Sequence, residues 1–168
     1  MTVVYTIGHS RHAADHFVAL LRAHAIERLV DVRSTPRSRW APQFGQGPLA
    51  RLLGTSGVDY VYLGHQLGGR PDDPACYRDD GSVDFALRAT AVDFKDGIRQ
   101  LVPLARSRRT VILCSEEDPS HCHRRLLVAP ALSAAGLSVA HVRGDARLET
   151  EPAAVSPSRQ LGLFGTRR

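Results

Sequence analysis

Apolar positions along the chain fall into two kinds of run that alternate. Short stretches of β-branched and other apolar residues recur at 3–7, 28–32, 58–63, 110–114 and 137–142, and each predicts a strand. Between them lie stretches with helical spacing. Phe17, Leu20, Leu21 and His24 mark one face of a helix over 13–25, a short helix is expected near 49–53, and 84–106 predicts a long one. A further helix is expected over 119–135, with Asp118 as its cap, Pro119 in its first turn and Gly136 as its stop. Prolines and glycines at 36–48 and 64–74 break the remaining connections into two long loops. Strands alternating with helices predict a single α/β domain of three layers, a mainly parallel sheet with helices on both faces. The pattern stops after Arg143, so residues 1–143 are expected to form the domain and 144–168 a flexible tail. One apolar cluster, QLGLF at 160–164, is embedded in that tail.

Composition narrows the class of protein. With 168 residues, 43% of them hydrophobic and 23% charged, the chain is neither disordered, nor collagen-like, nor a disulfide-stapled miniprotein. No stretch approaches the ~18 apolar residues of a membrane span. The first residues lack the basic start and apolar run of a signal peptide, so a cytoplasmic protein is expected. Three cysteines, Cys76, Cys114 and Cys122, then suggest reduced thiols or metal ligands rather than a disulfide framework. Net charge is +5, and of the 22 basic residues only Lys95 is a lysine. Either coding bias or the placing of Arg forks to grip phosphates accounts for that imbalance.

Candidate chemistry gathers where the strands end. In a parallel sheet, ligands bind beyond the carboxyl ends of the strands, and there the sequence places Gly8, His9 and Ser10, then Asp31 and Arg33, then Cys114, Ser115 and Glu116. Cys122, His123 and Arg124 join them from the first turns of the following helix, whose dipole and Arg124 would favour a thiolate at Cys122. Cys122 is a candidate nucleophile, His123 or His9 an acid or base, Glu116 a residue that orients one of them, and Arg33 or Arg124 an anion holder. Metal is the competing reading: Cys114, Cys122, His123 and His9 are four suitable ligands for zinc or iron, although seven residues part the two cysteines. A plain buried Cys114 with His123 and Arg124 pairing locally is the third. A phosphatase loop is excluded because Ser120, not Arg, stands six after Cys114, and GHQLGGRP at 64–71 is not a dinucleotide fingerprint. The 33–44 loop interleaves Arg33, Arg37 and Arg39 with Trp40 and Phe44, the composition of a surface that binds phosphates and stacks bases, or of a solvated loop pinned by two aromatics.

TIGHS at 6–10, DVRSTPRS at 31–38, LGGR at 67–70 and CSEEDPSHCHR at 114–124 together resemble the bacterial and archaeal family called domain of unknown function 488. That resemblance covers roughly residues 3–142. It implies a three-layer α/β fold, expected here to be Rossmann- or flavodoxin-like, and a shared site. The family's pattern falls on His9, Ser10, Asp31, Arg33, Pro36, Ser38, Gly68, Gly69, Cys114, Glu116, Cys122, His123 and Arg124. It implies no reaction.

QLGLF is similar to the peptide by which bacterial replication and repair proteins dock on the sliding clamp. Leu161, Leu163 and Phe164 would fill an apolar pocket, with Gln160 hydrogen-bonding at its rim. The alternative is an apolar peptide folding back on its own domain. The leading expectation is a DNA-associated protein, an enzyme of repair or nucleic-acid processing brought to the clamp by its tail. Asp31, Cys114, Cys122, His123, His9 and Glu116 are its candidate catalytic residues, and Ser10, Arg33, Ser38, Arg39, Trp40 and Arg124 its substrate-binding ones. A thiol enzyme acting on a nucleotide or other phosphorylated small molecule, and a non-enzymatic metal-binding adaptor, are the alternatives.

Overall fold

Side chains along the first strand, β1 (Val3–Gly8), alternate between two cores. Tyr5 and Ile7 point to one face and Val4 to the other, the period of two that a strand buried on both sides requires. In this computed structural model, which describes residues 1–152, helices α1 (Ala14–Ala23) and α2 (Gln46–Thr55) cover the first face. Strands β2 (Arg28–Asp31) and β3 (Asp59–Tyr62) follow those helices. After β3 come two single-turn helices, α3 (Gly64–Leu67) and α4 (Phe85–Arg88), and then α5 (Val92–Ser107). The opposite face of the sheet is covered by α5 and by α6 (Ala129–Ala134), which follows β4 (Thr110–Cys114). Phe94, Leu101, Leu127 and Leu132 are the principal side chains of that second core.

The sheet has the order β3-β2-β4-β1-β5-β6, where β5 is Ser138–Val142 and β6 is Leu148–Thr150. All pairings are parallel except β5 with β6. This α/β domain differs from both common doubly wound orders, 3-2-1-4-5-6 and 2-1-3-4-5, because β4 is inserted between β2 and β1. The insertion decides where a site can form. Chain leaving β1 and β2 turns to the α1/α2 face, and chain leaving β4 turns to the other, so crevices open on both sides of the carboxyl end of β4.

Three expectations change. The helix over 84–106 is two helices, since Asp84 caps α4 through the Leu87 N–H and the chain is extended at Ala91 before α5 begins. There the buried Arg88 guanidinium bonds the Asp93 carboxylate at 2.7 Å and the Gln66 carbonyl at 2.6 Å, which ties the break to α3. The helix over 119–135 is likewise interrupted: Asp118 caps only a 3-10 turn, Pro119–His121. Cys122 is extended, and a π turn, Arg124–Val128, leads into α6. Finally, the sheet runs past Arg143, where the sequence pattern predicts the start of a tail. The exposed strand β6 has little apolar pattern to announce it and is held by ion pairs of Glu149 with Arg125 at 2.8 Å and Arg143 at 2.9 Å. The QLGLF peptide, with Gln160, Leu161, Leu163 and Phe164, lies outside the described residues.

His141, buried on β5, donates from Nε2 to the Glu151 carboxylate and accepts at Nδ1 from the Thr6 hydroxyl, both at 2.6 Å. Burial lowers its pKa from the ordinary 6.5, against the pull of Glu151 and together with Arg124 and Arg125. The unfolded chain therefore takes up this proton first, and stability is complete above pH 6.5 and falls as pH drops below it. Unfolding free energies from urea denaturation between pH 8 and pH 5 are expected to fall by up to about 1.4 kcal/mol per pH unit for this group, and H141Q to flatten that part of the slope. An unchanged slope in H141Q would assign the dependence to other groups.

Candidate functional site

His123 stands at the centre of the site. Its Nε2 lies 3.1 Å from the Val32 carbonyl, and since a carbonyl only accepts, Nε2 carries the proton. Nδ1 is left as a lone pair facing two sulfurs, Cys114 Sγ at 3.5 Å and Cys122 Sγ at 3.8 Å. Each partner is delivered by a different element: Cys114 ends the fully buried β4, Cys122 and His123 lie between the 3-10 turn and the π turn, and Val32 follows β2. Cys114, Cys122 and His123 are all buried, at 7%, 3% and 9% exposure. Gly69 packs against the ring, where a Cβ would sit 2.7 Å from His123 Cγ. This close approach is what the glycine pair in LGGR provides.

Contact between the two thiols drives their acidities apart. A hydrogen bond from Cys122 holds the Cys114 thiol well below its usual range. The same contact, together with burial, pushes the Cys122 thiol up. Cys122 is extended and precedes the helical turn, so the helix dipole expected to act on it is not aligned behind its sulfur. All three cysteines, including the buried Cys76, are free.

A cleft of about 560 Å³ opens over the cluster, lined by Cys114, Cys122, His123, Glu116 and the guanidinium-bearing Arg33, Arg37 and Arg70. Residues 13–130 match the model of the family described as domain of unknown function DUF488. The chain belongs to that family. No curated protein and no solved structure matches it. The matched span of this DUF488 domain contains the whole cluster and the three cleft arginines.

Not every expected residue joins the site. His9 and Asp31 lie on the α1/α2 face, whereas Cys114 faces α5 and α6, as strand parity dictates. His9 stacks on Phe44 at 4.9 Å and donates from Nδ1 to the Ser10 carbonyl, so it is not a fourth member of the Cys114, Cys122, His123 group. Its Nε2 is buried without a partner among the described residues. Asp31, wholly buried, grips Arg33 through Nε at 2.9 Å and Nη2 at 2.7 Å and also accepts from the Tyr60 hydroxyl at 2.8 Å. It positions Arg33, whose Nη1 has no partner among the described residues.

Arg124 is also buried, and it donates to the Glu116 carbonyl and, at 2.6 Å, to the Glu117 carbonyl. It clamps the loop after β4 and is not open to a ligand. Ser38 Oγ accepts from the Ala41 N–H at 3.0 Å, a local turn contact. Ser10 sits at φ 45° with its N–H on the Ser115 carbonyl, which closes the crossing between the β1 and β4 exits. Of the two carboxylate candidates, Asp31 and Glu116, it is Glu116 that lines the cleft. Arg39 and Trp40 lie outside the cleft lining, and Arg11 stands 5.5 Å above the exposed Trp40 ring. Sequence reasoning does not single out Arg70 and Ser34 as site residues. Their signal is the adjacent glycine pair, since Ser34 Oγ accepts the Arg70 N–H at 2.9 Å and so anchors the loop that carries it.

Proposed function

We propose that this DUF488 protein is a nucleic-acid-processing enzyme whose cleft holds phosphates beside the Cys114–Cys122–His123 cluster. The observation that carries the reading is the gathering of Arg33, Arg37 and Arg70 around those groups at the end of β4. A guanidinium fork suits phosphate oxygens, and the remaining donor of Arg33 is oriented by Asp31 before any ligand arrives. A second hollow of about 680 Å³ shares Ser34, Thr35 and Arg37 with the first and lies on the other side of the same loop. This extended surface suits a chain of nucleotides better than a single small molecule. Trp40, 77% exposed, supplies an aromatic face for stacking a base. Recruitment to the sliding clamp belongs to the same proposal and rests on the sequence of residues 160–164.

Trp40 is the only tryptophan, so its fluorescence reports directly on ligand binding. A single-stranded oligonucleotide is expected to quench it with an affinity that weakens as salt rises. R37A/R70A, by removing two phosphate contacts, should reduce the slope of log K against log salt by about 1.4. W40A, followed by oligonucleotide anisotropy, should cost about 1–3 kcal/mol of binding. Absence of binding to single- or double-stranded oligonucleotides at low salt would reject the nucleic-acid reading.

A further inference from the structure

Among the described residues, Cys114 Sγ, Cys122 Sγ and His123 Nδ1 lie within 4.8 Å of one another, and all three belong to buried side chains. A hydrogen bond explains only part of this. Nδ1 has one lone pair and two sulfurs face it at 3.5 and 3.8 Å, so a hydrogen bond to one leaves the other contact unexplained. A tetrahedral ion satisfies all three at once. With metal–sulfur bonds of about 2.3 Å and metal–nitrogen bonds of about 2.0–2.1 Å, tetrahedral angles place sulfur and nitrogen about 3.5–3.6 Å apart. The observed separations are close to that figure.

Two further features fit an ion. The donation from His123 Nε2–H to the Val32 carbonyl is the outer support that fixes the tautomer and aims the ring of a metal-bound histidine. The donor set is two thiolates and an imidazole without a carboxylate, which selects zinc-class borderline ions over magnesium, calcium or manganese. Two thiolate charges also balance a divalent ion among side chains that are nearly shut off from solvent.

We infer that Cys114, Cys122 and His123 form a three-ligand site for a divalent ion of the zinc class, with the fourth position open to the cleft. Three protein ligands and one open position are the plan of catalytic rather than purely structural zinc. Water or a substrate oxygen completes the coordination, which places a Lewis acid beside the phosphates that Arg37 and Arg70 would hold. The ion's catalytic use rests on the proposed function; its binding does not.

The test is metal loading of the full-length protein, stripped with a chelator under reducing conditions and reloaded with zinc or cobalt. About one ion per chain by elemental analysis is expected. The cobalt form should show a thiolate-to-metal charge-transfer band with intense visible bands of four-coordinate geometry. C122S should lose that band and weaken zinc binding about ten-fold or more. Because C122S also removes a buried core contact and risks misfolding, the unaltered protein gives a second readout, in which zinc should protect Cys114 and Cys122 from alkylation. A folded protein that stays substoichiometric in both metals, or whose alkylation zinc leaves unchanged, overturns the site. Stoichiometric metal without oligonucleotide binding would keep the site and reject the nucleic-acid reading, and binding without metal would do the reverse.

Discussion

Replacing Asp31 by Ala is expected to cost about 3–5 kcal/mol of folding stability, the penalty for leaving one member of a buried ion pair without its partner. Asp31 is 0% and Arg33 3% exposed, and the carboxylate takes two guanidinium bonds, the Arg33 N–H and the Tyr60 hydroxyl. Water cannot replace those contacts at this depth. A loss of that size is a large part of the ~5–15 kcal/mol that holds a typical domain together. Urea denaturation should show a lower midpoint with an unchanged slope. The double variant D31L/R33M, which removes both charges and keeps most of the volume, should regain most of the loss while remaining defective in phosphate binding. A D31A unfolding free energy within about 1 kcal/mol of the starting protein would mean that the pair is solvated and that Arg33 is not held by it.

The second large effect is expected at Gly8, the last residue of β1. A Cβ there would sit 1.6 Å from the Glu116 carbonyl oxygen and 2.8 Å from Arg124 Nη1. Backbone crowds backbone, so no rotamer change relieves the clash. G8A should therefore push the loop after β4 outward, pull the Glu116 carbonyl off Arg124, and disturb the Cys114 end of the cluster. The expected cost is at or above the top of the ~1–3 kcal/mol range for overpacking. Gly54 in α2 is the control, because nothing lies within 4 Å of its missing Cβ. G54A should stabilise by about 0.5–1 kcal/mol. Equal stability of G8A and the unaltered protein would refute the close crossing of the β1 and β4 exits.

Much of this architecture is legible in the chain. Five strands, the α/β class and the clustering of polar residues at strand ends follow from apolar runs that alternate with helical spacing. Strand parity is legible too: Ile7 and His9 are two apart, as are Leu29 and Asp31, while Leu113 and Cys114 are adjacent and so face opposite ways. Counting along the strands is enough to separate His9 and Asp31 from the cysteine cluster. What periodicity does not carry is the insertion of β4 between β2 and β1, a long-range pairing decided by packing. Nor does it carry the breaks at Ala91 and Cys122, where a buried Arg88 and the needs of the cluster override helical propensity. Strand β6 escapes for a third reason: it is short and is held by charge rather than by apolar burial.

The exits of β2 and β4 turn to opposite faces, so the groups proposed to grip a ligand and the Cys114–Cys122–His123 cluster are carried by separate stretches of chain. Arg37 and Trp40 ride on a surface loop that shares no covalent neighbour with Cys114, Cys122 or His123. On the proposed function, exchanging residues 37–40, ahead of the buried Ala41 and Phe44, is therefore a way to change what the protein binds while Cys114, Cys122 and His123 stay in place. On the proposed function, such a domain lets preference drift in one segment while chemistry is kept in another.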